Sequence, residues 1–299
     1  MEIINNRYRI LETEYSNRVF SCHVAKDILY PNEESFRIFI VKPQMMPSLA
    51  MQKFISDFLV YSSIKHPYIV KGEHVDMIFS IDRKPVERTN YYFVVEKFDY
   101  NTSFLDYSYA QTDSDILLDK FIDILRIFEL MIRRGFYYDF ASTEHIYLDD
   151  NHNIKIKDFL LTQIENISFS SHEQRADLKY RAPELYSGES TTILSVIYAL
   201  GIVLKSLLKN PSFEANFGNK IKPVIDKMTA YRYLERYMSI TQIIEDINFF
   251  CDKDYEFLFE DKNYYIDRKP GLVIRDSIKN SIFKGVNNLE AGDYGVLLY

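Results

Sequence analysis

The sequence predicts an α+β fold, with a small antiparallel sheet carrying one helix and a mainly helical remainder. Three observations predict it. The first third of the 299-residue chain consists of short β-branched and aromatic runs bounded by polar turns. One stretch among them spaces its apolar residues as a helix does. After Asp99 the texture changes to long helical patterns, and strands followed by helices are the mark of α+β architecture.

The strand-like runs are residues 8–11, 19–24, 36–42 and 91–96. The helix among them spans 48–64, with Phe54, Phe58 and Tyr61 at three- and four-residue spacing. Long helical patterns follow at 116–134 and 193–208, then shorter ones toward residue 250. No repeat and no low-complexity linker interrupts residues 1–250. The expected organisation is a strand-rich lobe over 1–98, a helical lobe over 99–250, and a linker that opens a further domain over 251–299.

Composition narrows the function. With 47% apolar and 15% aromatic residues the chain can bury a core. A net charge of −7, with no segment clustering Lys and Arg, argues against nucleic acid as a partner. Cys22 and Cys251 lie far apart without metal-ligand spacing and are expected to stay reduced inside a cell. The N-terminus has no apolar signal-peptide core. The longest apolar run, 193–204, is shorter than the ~20 residues that cross a bilayer. The expectation is a cytoplasmic protein without a membrane segment.

Residues 135–161 read GFYYDFASTEHIYLDDNHNIKIKDFLL, and other landmarks stand around them in order. A hairpin covers 8–27, and Ile40-Val41-Lys42 closes a strand. Lys65-His66-Pro67-Tyr68-Ile69-Val70-Lys71 follows the first helix, and Phe93-Val94-Val95-Glu96 ends the last strand of the lobe. Tyr180-Arg181-Ala182-Pro183-Glu184, Tyr198-Ala199-Leu200-Gly201 and Glu235-Arg236-Tyr237 complete the series. In this order, and with a 13-residue step from His145 to Asp158, the chain resembles a eukaryotic-type Ser/Thr protein kinase domain over roughly residues 7–250. The resemblance implies a bilobal kinase-like fold.

It also implies roles, residue by residue. Lys42 takes the position that contacts the ATP α- and β-phosphates, and Asp57, nine residues before His66, that of its carboxylate partner. Glu96 ends the hinge strand beside the nucleotide. Asp158 keeps the primary Mg²⁺ position, and Glu184 and Arg236 correspond to the family's buried ion pair.

Other positions have lost their chemistry. Phe140 stands where the base should be, and a phenyl ring cannot accept a proton; a general base is typically worth ~10²–10⁴-fold in rate. His145 replaces the second metal ligand with a nitrogen donor, whereas Mg²⁺ prefers oxygen. Leu160 replaces the glycine after Phe159, Val196 the Asp that holds the catalytic-loop backbone, and Asp139 the Arg that would read a phosphate on Ser168, Ser170 or Ser171. There is no glycine before Gly72, so residues 14–18 form a phosphate-covering turn without one. That turn is expected to set the Glu14 carboxylate near the phosphates, with Arg18 either a compensating charge or a surface residue. Sliding the loop by one residue offers a rescue, with Asp139 as substitute base and Glu144 as metal ligand.

The leading expectation is a pseudokinase, a regulatory or interaction module that binds ATP and Mg²⁺ weakly or not at all. The alternatives are a divergent Ser/Thr kinase moving the γ-phosphoryl of ATP to protein hydroxyls, and an ATP-binding switch without transfer. Toward the C-terminus, 277–283 reads as a short helix and 294–299 as a buried strand. That strand either packs back on the lobes or begins a further domain. In the second case the module opens a longer bacterial regulator, and its covalent partner is a P-loop ATPase.

Overall fold

The structure is a computed structural model that describes residues 2–16, 20–30, 35–42, 49–86, 90–137, 143, 145–157, 179–187 and 189–257. It is α+β and divides into two compact units. One comprises Met1–Ile55 and Glu73–Val95, the other Ser56–Gly72 and Glu96–Ile266. The division does not follow the chain, because residues 56–72 belong with the helical unit and not with the strands that flank them.

The first unit holds strands β1 (Ile3–Ile4), β2 (Tyr8–Ser16), β3 (Phe20–Asp27), β4 (Phe36–Val41), β5 (Gly72–Met77), β6 (Ser80–Ile81), β7 (Lys84–Pro85) and β8 (Tyr91–Glu96). They form one sheet in the order β5-β8-β4-β3-β2-β1-β6-β7. Alternate residues of a strand face opposite sides, and on β4 and β8 both sides are buried. On β8, Tyr92 and Val94 join Ile4, Tyr8, Ile10, Ala25, Ile38 and Ile78 in one cluster. Phe93 faces the other way and meets Phe20 and Phe54, with ring centroids 5.6–6.1 Å apart. The continuous apolar run at 91–96 follows from that two-sided burial. Register shifts in β2, between Ile10 and Glu12 and between Thr13 and Tyr15, curl the sheet. Asn5, with φ of 50°, holds the N-terminal strand in place: its side chain donates to Met77 O at 2.7 Å and accepts from Phe79 N at 2.8 Å.

Between β4 and β5 runs helix α1 (Leu49–Ser62). The second unit adds β9 (Thr102–Ser103), α2 (Phe104–Ala110), α3 (Ser114–Arg133), β10 (Ile146–Leu148), β11 (Ile154–Ile156), α4 (Pro183–Tyr186), α5 (Ile193–Leu207), α6 (Pro211–Met228), a 3-10 turn (Tyr233–Glu235) and α7 (Ile240–Cys251). Asp113 caps α3 by accepting from Asp115 N at 2.9 Å, and the helix buries Leu117, Phe121, Ile124, Leu125 and Phe128 completely. The helix α5 is the apolar run of the sequence, buried as expected. The patterns after it were expected to be short, yet α6 has 18 residues. Its polar outer face and internal Pro223 weaken the periodic signal, while Asn210 at its N-cap and buried Phe213, Phe217 and Ile221 define it. Ile146, Leu148, Ile154 and Ile156 turn one face of the β10–β11 hairpin into the core.

Candidate functional site

The outward face of the same hairpin is where the chemistry-bearing residues of the second unit meet. Tyr147 pairs in register with Lys155, and Lys157 follows two residues on, so period-2 alternation sets all three on this face. The Tyr100 ring lies 4.8 Å from that of Tyr147 and 5.2 Å from that of Phe98. Lys155 Nζ stands 5.8 Å from the Phe98 centroid and Lys157 Nζ 5.6 Å from that of Tyr100. Both lysines are buried. Two ammonium groups beside aromatic faces are thereby held largely out of water.

Glu96 pairs with Lys155. Its Oε1 accepts from Lys155 Nζ at 2.9 Å and its Oε2 from Lys71 N at 2.8 Å, while Lys155 also donates to Pro67 O at 3.1 Å. A buried charge is tolerable only with such partners. Sequence reasoning gave Glu96 to a nucleotide; in the structure both carboxylate oxygens hold protein groups. The segment that carries Lys71 is zipped to β11 by Ile156 N to Tyr68 O at 2.6 Å and Val70 N to Ile156 O at 3.2 Å. Tyr61 of α1 donates from its hydroxyl to Val70 O, and Gly72 lies so close to the Tyr61 ring that a Cβ would stand 3.0 Å from it.

His66 sits in this network. Its Nδ1 accepts from Tyr68 N at 3.1 Å, which requires the neutral ring. Burial, and then the nearby Lys155 ammonium, push its pKa down to about 4. The folded value lies below the unfolded one, so the unfolded chain binds the extra proton. The contribution of His66 to stability is therefore full above about pH 6.5 and is lost as pH falls through about 4. Urea midpoints measured between pH 7 and 4 are expected to fall less steeply in His66→Asn than in the wild type; equal slopes would rule this out.

Of the residues expected from sequence, Lys42 follows β4 in the first unit and Asp57 lies on α1 in the second, both half-buried. His145 is buried at 6% exposure, and its carbonyl accepts from Lys157 N at 2.9 Å. Next to it, Thr143 Oγ1 and Tyr180 Oη share a buried hydrogen bond of 2.6 Å. Glu184 and Arg236 come together across 52 residues of sequence as a bidentate pair at 2.7 and 2.9 Å. Val196 is fully buried in α5. Asp139, Phe140, Glu144, Asp158, Phe159, Leu160, Arg18, the serines at 168, 170 and 171, and the elements expected at 277–283 and 294–299 lie outside the described residues.

One expectation is corrected. Glu14 does not sit in a turn, because β2 continues to Ser16. Its carboxylate accepts from Arg37 Nε at 2.7 Å and Arg37 Nη2 at 3.1 Å. An arginine on β4, reaching across β3, outcompetes solvent for it.

Sequence reasoning missed Lys155, Lys157, Tyr100 and Tyr147. The Ile-Lys-Ile-Lys alternation at 154–157 was the available signal, since period 2 separates an apolar face from a cationic one.

Fold and site define an α+β protein of two units whose helical unit bears a cationic, aromatic hairpin face. No protein-family model matches the chain. Among the described residues, no helix is long and apolar enough to cross a membrane.

Proposed function

We propose that the chain is a protein-kinase-like module, impaired in phosphotransfer, that works as a regulatory or interaction element in the cytoplasm. The observation that carries this reading is the Glu184–Arg236 pair, buried and bidentate at the two positions the resemblance couples. The order of elements supports it as well: a hairpin, the strand before Lys42, a helix, the His66 segment, the strand ending at Glu96, and then the helical unit.

Impairment rests on the residues present. Phe140 cannot take a proton, and the buried Val196 side chain cannot accept a hydrogen bond from the catalytic-loop backbone. The scaffold persists where the chemistry has gone, and the module acts on a protein partner or a covalently following domain, for which a P-loop ATPase is the candidate.

The test is ATP at millimolar concentration, with and without Mg²⁺, in a thermal-shift experiment beside radiolabel transfer to a generic protein substrate. A ligand selective for the native state must raise its melting temperature. The expected result is no shift and no transfer. A shift without transfer would make the module an ATP switch. Transfer abolished by both Lys42→Met and Asp158→Ala would make it an active kinase.

A further inference from the structure

The chain does not leave the helical unit where α7, the last helix among the described residues, ends. Asp252, left-handed at φ 55°, turns it back after α7. The next residues lie along α3. Lys253 Nζ meets Asp115 Oδ1 at 2.6 Å, Tyr255 Oη donates to Asp119 Oδ1 at 2.6 Å, and Arg126 donates from Nε and Nη2 to Glu256 O at 3.0 and 2.8 Å. Positions 115, 119 and 126 are spaced by four and seven, so they form one stripe on the helix. From α7, Asn248 clasps Tyr255 by its side chain, donating to the carbonyl at 2.9 Å and accepting from the amide at 2.8 Å.

The attachment is polar. Phe257, the one purely apolar side chain of the segment, is exposed, and the Lys253 and Asp115 side chains keep 29% and 57% of their accessibility. The contacts to α3, each with a charged partner in Asp115, Asp119 or Arg126, are weak alone and are screened by salt, whereas the neutral Asn248 clasp is not. They share one short segment, so they form and break together.

We propose that residues 253–257 are a releasable strap, held on the α3 stripe by charge, that lifts as one element while the helical unit stays folded. In its closed form the strap holds Glu256 beside Arg126, and its open form frees residues 253–257 from α3. This device is independent of the functional proposal and would serve any partner attached beyond it.

Hydrogen exchange of the full chain, followed by mass spectrometry at peptides covering 252–257, tests it, with trypsin cleavage after Lys253 as a second readout. At low salt the Lys253 and Tyr255 amides are expected to be protected. Raising salt to about 0.5 M, where the Debye length falls to a few ångströms, is expected to speed exchange and cleavage about tenfold. Asp115→Ala combined with Asp119→Ala is expected to do the same at low salt without lowering the melting temperature. The salt arm uses the unaltered protein and needs no variant to fold. Exchange that ignores salt, or that rises only with global unfolding, would overturn the strap.

Discussion

Replacing Arg236 with methionine is expected to cost about 3–5 kcal/mol, as removing one partner of a buried ion pair does. The guanidinium side chain is 0% exposed and the Glu184 side chain 8%. Besides Glu184, Arg236 donates to Ala230 O at 2.8 Å and Leu194 O at 3.0 Å and lies 4.8 Å from the Tyr198 ring centroid. Methionine fills similar volume but strands a buried carboxylate and the carbonyls of Ala230, Leu194 and Tyr231. Lysine keeps the charge and loses the fork, so Arg236→Lys is expected to rescue only a small part. Domains are stable by only ~5–15 kcal/mol, so urea unfolding reads this loss easily. A loss below about 1 kcal/mol would mean that Glu184 finds solvent or another partner.

Gly201→Val is expected to destabilise by about 3 kcal/mol, the upper end of ordinary overpacking. A Cβ at Gly201 would stand 2.7 Å from both Met228 Cβ and Thr229 Cγ2, at the crossing of α5 with the end of α6. Propensity alone predicts the opposite sign, because glycine inside a helix is unfavourable by about 0.5–1 kcal/mol relative to alanine. Gly218 is the internal control. There the nearest atom is the flexible Glu214 Cγ at 3.4 Å, and Gly218→Ala is expected to stabilise by about 0.5–1 kcal/mol. Thermal or urea unfolding of the two variants should move in opposite directions; a stabilised Gly201→Val would show that the helices can part without cost.

Much of the fold was legible. The strand at 91–96 has the observed bounds, and the helical patterns at 193–208 and 116–134 start and end within two residues of α5 and α3. These elements declare themselves through spacing inside a short window. α6 was underestimated because its core contacts fall on few residues amid Lys, Asn and Gly. Within the candidate site, the sequence named Glu96 but not what it binds. The lysine that takes its carboxylate is 59 residues away, and no local pattern couples the two.

The sequence alone therefore determined the α+β class, the strands and helices with strong local periodicity, and which single side chains, such as a phenyl ring, cannot accept a proton, because each of these is a property of neighbouring residues or of one side chain. Tertiary structure alone decided that residues 56–72 join the helical unit, that Glu14 answers to Arg37, that Lys155 and Lys157 lie on one aromatic face, and that the chain after Asp252 returns along α3. Each of these depends on burial and charge compensation between groups distant in sequence, and such compensation exists only once the chain is folded.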